Sequence, residues 1–153
     1  MAEAVNLTGS DVFLAFTTYA TIVILKMMLM APLTAYYRLS KKVFANMEDT
    51  FGSAEERKMM IRVDPDVERV RRCHLNDLEN IVPFVLVGLL YALTGPDLST
   101  ALLHFRLFVG SRLVHTVVYV MALPQPSRAL VFILGLGTTF SMAFHVLAKV
   151  FYL

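Results

Sequence analysis

From Val12 to Tyr37 the chain runs through aliphatic, aromatic and small residues, with Lys26 as its only charge. About 20 such residues cross the hydrocarbon core of a bilayer as an α-helix, where every backbone polar group must be satisfied within the segment. This run therefore dictates a membrane span. Three further stretches read the same way: residues 65–94, 100–123 and 128–152. With 57% hydrophobic residues among 153, too little polar surface exists to cover a water-soluble globule. The expected fold class is an all-α integral membrane protein, a single domain of four transmembrane helices in an up-down bundle, with a polar loop at about residues 38–64 between the first two spans.

Local signals set the helix ends. In "DPDVE", Asp64 serves as N-cap, Pro65 fits the first helical position, and Asp66 and Glu68 face the positive end of the helix dipole. "SAEE" gives a capping box, Ser53 with Glu56, for a short helix inside the loop. Gly95 and Pro96 in "TGPD" end the second span. The tail "MAEAVNLTGSD" has acidic residues and no basic n-region, so the first span reads as a retained anchor and not as a cleaved signal.

Basic residues collect on one side. Arg38, Lys41, Lys42, Arg57, Lys58, Arg62, Arg69, Arg71 and Arg72 follow the first span or begin the second, which makes that side cytosolic and the N-terminus lumenal. The sequon Asn6-Leu7-Thr8 falls on the lumenal side, close to the membrane. A net charge of +2 scattered through apolar sequence speaks against a nucleic-acid partner. The single cysteine, Cys73, excludes an intrachain disulfide or a paired-thiolate zinc site. His74, His104 and His145 have no second ligand at i+3 or i+4, so no metal is expected.

One stretch defies the apolar pattern. In "VERVRRCHLNDLENIVPF", Arg69, Arg72, Asn76, Glu79 and Pro83 recur at helical steps, and in the third span Arg112, His115 and Tyr119 do the same. A charge at mid-bilayer costs about 2.5–3.5 kcal/mol, so such residues normally face a bundle interior or a wet cavity. The bland alternative is that ion pairs, Arg72 or Arg112 with Glu79, only fix packing. Lys26 would then pair with Asp77 or snorkel. Against packing alone, Arg38, Arg69, Arg72, Arg112 and Arg128 outnumber the carboxylates on the same faces, chiefly Glu79. Surplus buried positive charge needs an anion. Guanidinium groups grip carboxylates bidentately, and Asn76, Glu79 and Tyr119 can orient an ammonium or peptide group beside them. The pattern describes a cytosol-facing pocket for a small zwitterion with excess negative charge. Gly135, Gly137 and Ser141 on the last span are small residues that permit close helix approach.

The blocks "YRLSKKVFANMED", "DPDVERVRRCHLNDLENIVPF", "LLHFRLFVGSRLVHTVVY" and "LPQPSRAL" resemble the membrane-associated proteins in eicosanoid and glutathione metabolism over nearly the whole chain. The resemblance implies a homotrimer of four-helix protomers in the endoplasmic reticulum and outer mitochondrial membranes, with glutathione sites between subunits near the cytosolic face. It also implies glutathione as co-substrate, and hydrophobic electrophiles and lipid hydroperoxides as the membrane-borne partners. Arg38, Arg72, Asn76, Glu79, His115, Tyr119 and Arg128 would line the glutathione site, with Arg128 as the catalytic residue that stabilises the thiolate. The prostaglandin E synthase relatives carry a serine directly after that arginine and an arginine beside the motif's histidine, where this chain has Ala129 and Leu75. Both departures favour the transferase branch. Thr50 stands where mammalian transferases of this type carry a cysteine, so activation through a thiol there is not expected. The alternatives are a glutathione-dependent prostaglandin E synthase and a non-catalytic lipid-binding scaffold.

Overall fold

Four helices long and apolar enough to cross a membrane dominate a computed structural model that describes residues 9–151. The sequon at Asn6 lies outside the described residues. In chain order the elements are α1 (Asp11–Lys41), a 3-10 turn (Met47–Asp49), α2 (Ala54–Met60), α3 (Pro65–Leu93), α4 (Leu98–Val120) and α5 (Ser127–Phe151). The architecture is all-helical; α1 packs on α3 and α4, and α5 closes the bundle against α4 and α3.

Each boundary has a local cause. The Ser10 side chain accepts from the Phe13 amide at the start of α1, and Lys42 ends that helix in the left-handed region at φ 51°. Ser53 and Glu56 form the expected reciprocal capping box of α2. The Asp64 side chain accepts the amides of Asp66 and Val67 at the head of α3. Gly95, at φ 63°, makes the turn after α3, and Asp97 accepts from the Thr100 amide to start α4. The loop between α1 and α3 is tied down by a backbone bridge between Phe44 and Ile61. Arg57 braces it further by donating to the Thr50 hydroxyl and the Met47 carbonyl.

Lys41 spans this junction by pairing with both Asp64 and Asp66. Desolvation works to raise the Asp64 carboxyl, but the Lys41 ammonium and the two backbone amides outweigh it and hold the group below its ordinary range. A carboxylate depressed in the folded state contributes stability that is complete above its unfolded pKa, about 3.9, and is lost as pH falls through the folded value. Hydrogen exchange should therefore show the Asp66 and Val67 amides protected at neutral pH and released only below the ordinary aspartate range. In Asp64→Asn, whose amide still caps, that acid-triggered release should vanish.

Aromatic stacking fills the half of the bundle away from the loop. Phe84 and Phe108 stack with centroids 3.8 Å apart, and Phe105 meets Phe16, Phe84 and Tyr91 in tilted or edge-on contacts. Gly88 makes room for Phe16, since a Cβ there would sit 2.8 Å from the ring. On α5 only one of the two glycines singled out by sequence is a close-approach residue: a Cβ at Gly135 would meet Ser111 Oγ at 2.7 Å, whereas Gly137 faces open space. Ser141 instead hydrogen-bonds His104 across the α4–α5 contact at 3.0 Å. Leu29, Leu86, Leu103, Leu130, Ile133, Phe140 and Phe144 are exposed on the outside of the bundle. In a bilayer such a surface meets acyl chains at no cost.

Candidate functional site

The polar residues divide around α3 by helical angle. At about 100° per residue, the buried side of α3 carries Cys73, Asp77 and Asn80. One flank, with Asn76, turns toward α4 and α5. The other, with Arg71, His74 and Leu78, turns toward α1. Arg72 and Glu79 fall between the flanks on the outermost side and are exposed. The stripe read from sequence as one interior face therefore points away from the protomer at its centre. It is a polar face of the bundle and not its lining.

The buried charges are organised by Asp77. This carboxylate is fully buried and accepts from Lys26 through one oxygen and from Arg112 through the other, at 2.9 Å. Pairing of Lys26 with Asp77 matches the sequence reading, but the partner of Arg112 is Asp77 and not Glu79. Among the described residues neither Arg72 nor Glu79 takes part in an ion pair, so neither pairing proposed for Glu79 forms within the chain. The physical reason is position: Asp77 lies on the buried side, where a guanidinium from α4 needs a counter-charge, and Glu79 lies two residues away on the outside. Cys73 is buried, with its sulfur 3.9 Å from the Thr116 hydroxyl, as a packing residue would be.

Cavities lie on both flanks of α3. The first, about 300 Å³, is lined by Asn76, His115, Tyr119, Gln125, Arg128, Ala129 and Phe132. Arg128 sits in the first turn of α5 with its guanidinium carbon 5.0 Å from the centre of the Tyr119 ring. Its Nε is buried and has no hydrogen-bond partner among the described residues. The Tyr119 ring lies 5.4 Å from that of His115, one turn earlier on α4. His115 Nδ1 is 3.2 Å from Arg112 Nη2. An arginine can only donate, so Nδ1 is the acceptor and the imidazole proton sits on Nε2. The cavity thus combines a guanidinium, a helix N-terminus and several polar hydrogens, an arrangement that favours an anion.

The second cavity, about 380 Å³, is a groove between α1 and α3 lined by Arg38, Arg71 and His74 beside Ala31, Thr34, Ala35, Leu75 and Leu78. Arg38 is therefore not brought to Asn76, His115, Tyr119 and Arg128 within one chain. Arg71 and His74 accompany it instead, two residues outside the stripe of Arg69, Arg72, Asn76, Glu79 and Pro83. The signal available in the sequence was Arg38 itself, which at the end of α1 faces the side of α3 that carries Arg71 and His74.

Fold and site together define a class: a four-span α-helical membrane protein with an anion-favouring cavity at one end of the bundle. The family model described as the MAPEG family matches residues 16–148. Over the full length of both chains, the sequence is 59% identical to microsomal glutathione S-transferase 1 of Sus scrofa and 57% identical to that of Homo sapiens. It is 39% identical to prostaglandin E synthase of Homo sapiens over 133 residues, covering 87% of this chain and 86% of the relative. The chain belongs to the MAPEG family.

Proposed function

We propose that the protein is a membrane-bound glutathione transferase in which Arg128 stabilises the glutathione thiolate. The observation that carries this reading is the Arg128 guanidinium at the N-terminus of α5, its Nε unpartnered, in a cavity shared with Tyr119, His115 and Asn76. A free thiol has a pKa of about 8.5, and a nearby guanidinium and helix N-terminus favour its anion, each pKa unit being worth about 1.4 kcal/mol. The thiolate sulfur forms a bond to an electrophilic carbon of a membrane-dissolved substrate as the leaving group departs with the bond electrons. With a lipid hydroperoxide, the sulfur attacks the terminal oxygen and releases the lipid alcohol. A second glutathione then converts the resulting sulfenate to disulfide and water. Both reactions bring a water-borne thiol to a lipid-borne partner at the bilayer boundary.

The division of cationic residues between two cavities supports a site completed by a second copy. Arg38 lies on the α1 side, Asn76, Tyr119 and Arg128 on the α5 side, and Arg72 and Glu79 point outward between them. A homotrimer, as the family resemblance implies, would place the α1 flank of one protomer against the exposed Arg72 and Glu79 of the next. The positive-inside asymmetry orients this end to the cytosol, and the relatives' name, microsomal, fits residence in the endoplasmic reticulum. Ala129, a wall residue of the Arg128 cavity, offers no hydroxyl beside the guanidinium, which favours transferase over prostaglandin synthase chemistry.

The purified protein in detergent should show the ultraviolet absorbance of bound glutathione thiolate at neutral pH and conjugate a simple aryl halide. Well-folded protein that shows neither signal would refute the assignment.

A further inference from the structure

The buried guanidinium of Arg112 has no place in the chemistry above, yet it touches two residues of the Arg128 cavity. Its Nη2 lies 2.7 Å from Asn76 Oδ1, 2.9 Å from Asp77 Oδ1 and 3.2 Å from His115 Nδ1, so that its two hydrogens are shared among three acceptors. The residue is completely buried, and its Nε and Nη1 have no partner among the described residues. As a packing device this is costly, because an ion pair in the interior is often replaceable by well-packed apolar side chains without loss of stability. What apolar side chains cannot do is assign proton positions to their neighbours.

We infer that Arg112 is a positioning residue for the thiolate cavity: by occupying the acceptor atoms of Asn76 and His115, it leaves both residues to present N–H donors to the bound anion. An arginine carries five N–H donors and no acceptor. Asn76 must therefore give Arg112 its carbonyl oxygen, which turns its NH₂ group away. His115 must give its unprotonated nitrogen, which places the proton on Nε2. Asp77 holds the guanidinium in register, and Lys26 takes the second carboxylate oxygen so that Asp77 cannot rotate out of its contact with Arg112. The chain of contacts runs from α1 through α3 to α4 and ends at the cavity. A lysine in place of Arg112 preserves the charge, but its stem is one bond shorter, so its ammonium stops short of the point at which Nη2 meets all three acceptors.

This inference rests on the transferase reading for its consequence but not for its first observable. Imidazole nitrogen NMR of the ligand-free protein, with His115→Gln to assign the signal, should show His115 as the Nε2–H tautomer. An Nδ1–H tautomer in the wild type overturns the inference, whether or not any Arg112 variant folds. In Arg112→Lys, the tautomer preference should be lost and the glutathione thiolate absorbance at pH 7 should fall at least tenfold. KM for glutathione should rise more than kcat falls. In an Asn76→Ala/His115→Ala background, the same Arg112→Lys change should lower thiolate binding by less than twofold, because the groups it acts through are gone. Full thiolate signal in Arg112→Lys, or an undiminished effect in the double-variant background, overturns the positioning role alone. A wild type without any thiolate signal refutes the transferase reading instead.

Discussion

Arg128→Ala is expected to abolish the thiolate absorbance of bound glutathione and to lower kcat/KM for aryl halide conjugation by about 10²–10³-fold, the loss typical of removing one preorganised charge-stabilising donor from a water-poor site. The argument rests on where the guanidinium sits. It is held over the Tyr119 ring at the first turn of α5, so its orientation is set before the ligand arrives. Its unpartnered Nε has no other duty in the fold. The fold should consequently survive the substitution, with an unchanged helical circular dichroism spectrum and little change in Tm. Arg128→Lys should recover only part of the activity, since a point charge on a flexible stem replaces a planar group stacked on an aromatic face. Retention of thiolate in the alanine variant would remove Arg128 from the mechanism.

The second large effect is structural. Asp77→Ala leaves Lys26 and Arg112 facing one another with no counter-charge in the centre of the bundle. Breaking a buried pair by deleting one partner costs about 3–5 kcal/mol, which for a chain of this size is a fall in Tm of roughly 6–20 °C. The same physics predicts an asymmetry. Replacing the whole triad by apolar residues, Lys26→Met with Asp77→Leu and Arg112→Met, should restore most of the lost stability, because no charge is then stranded. It should not restore glutathione binding, since Asn76 and His115 lose the group that orients them. Thermal melts in detergent, followed by thiolate absorbance on the same samples, separate the two effects. Equal melting temperatures for Asp77→Ala and the wild type would show that the pairing stabilises nothing.

Much of this was legible in the sequence because apolar runs, caps and breakers act locally. Asp64 and Pro65, Ser53 and Glu56, and Gly95 all do in the fold what their neighbours in sequence imply. Asp77 as the partner of Lys26 was also within reach, since a lone lysine in an apolar helix must find a carboxylate. The face of α3 was not. Periodicity groups Arg72, Asn76 and Glu79 on one stripe, and the cost of burying charge suggests that such a stripe turns inward. In the fold, the carboxylate one residue after Asn76 takes the interior and the stripe turns out. Period alone specifies which residues share a face, and the neighbouring helices decide which face is buried. For the same reason, sequence could place Arg38 in a site but could not show that the α1 groove and the α5 cavity are separate within one chain. Only a three-dimensional arrangement separates residues that a single ligand would later bring together.

That separation gives the most direct test of a glutathione site shared between copies. Arg38→Ala and Arg128→Ala should each be inactive as pure assemblies. Co-expressed in equal amounts under distinguishable tags and purified as mixed oligomers, they should regain about a third of wild-type conjugation, because a mixed trimer, whichever variant it holds twice, keeps both arginines intact at one of its three shared sites. Mixed oligomers as inactive as either parent would contradict a site built from two protomers and place all of its residues within one.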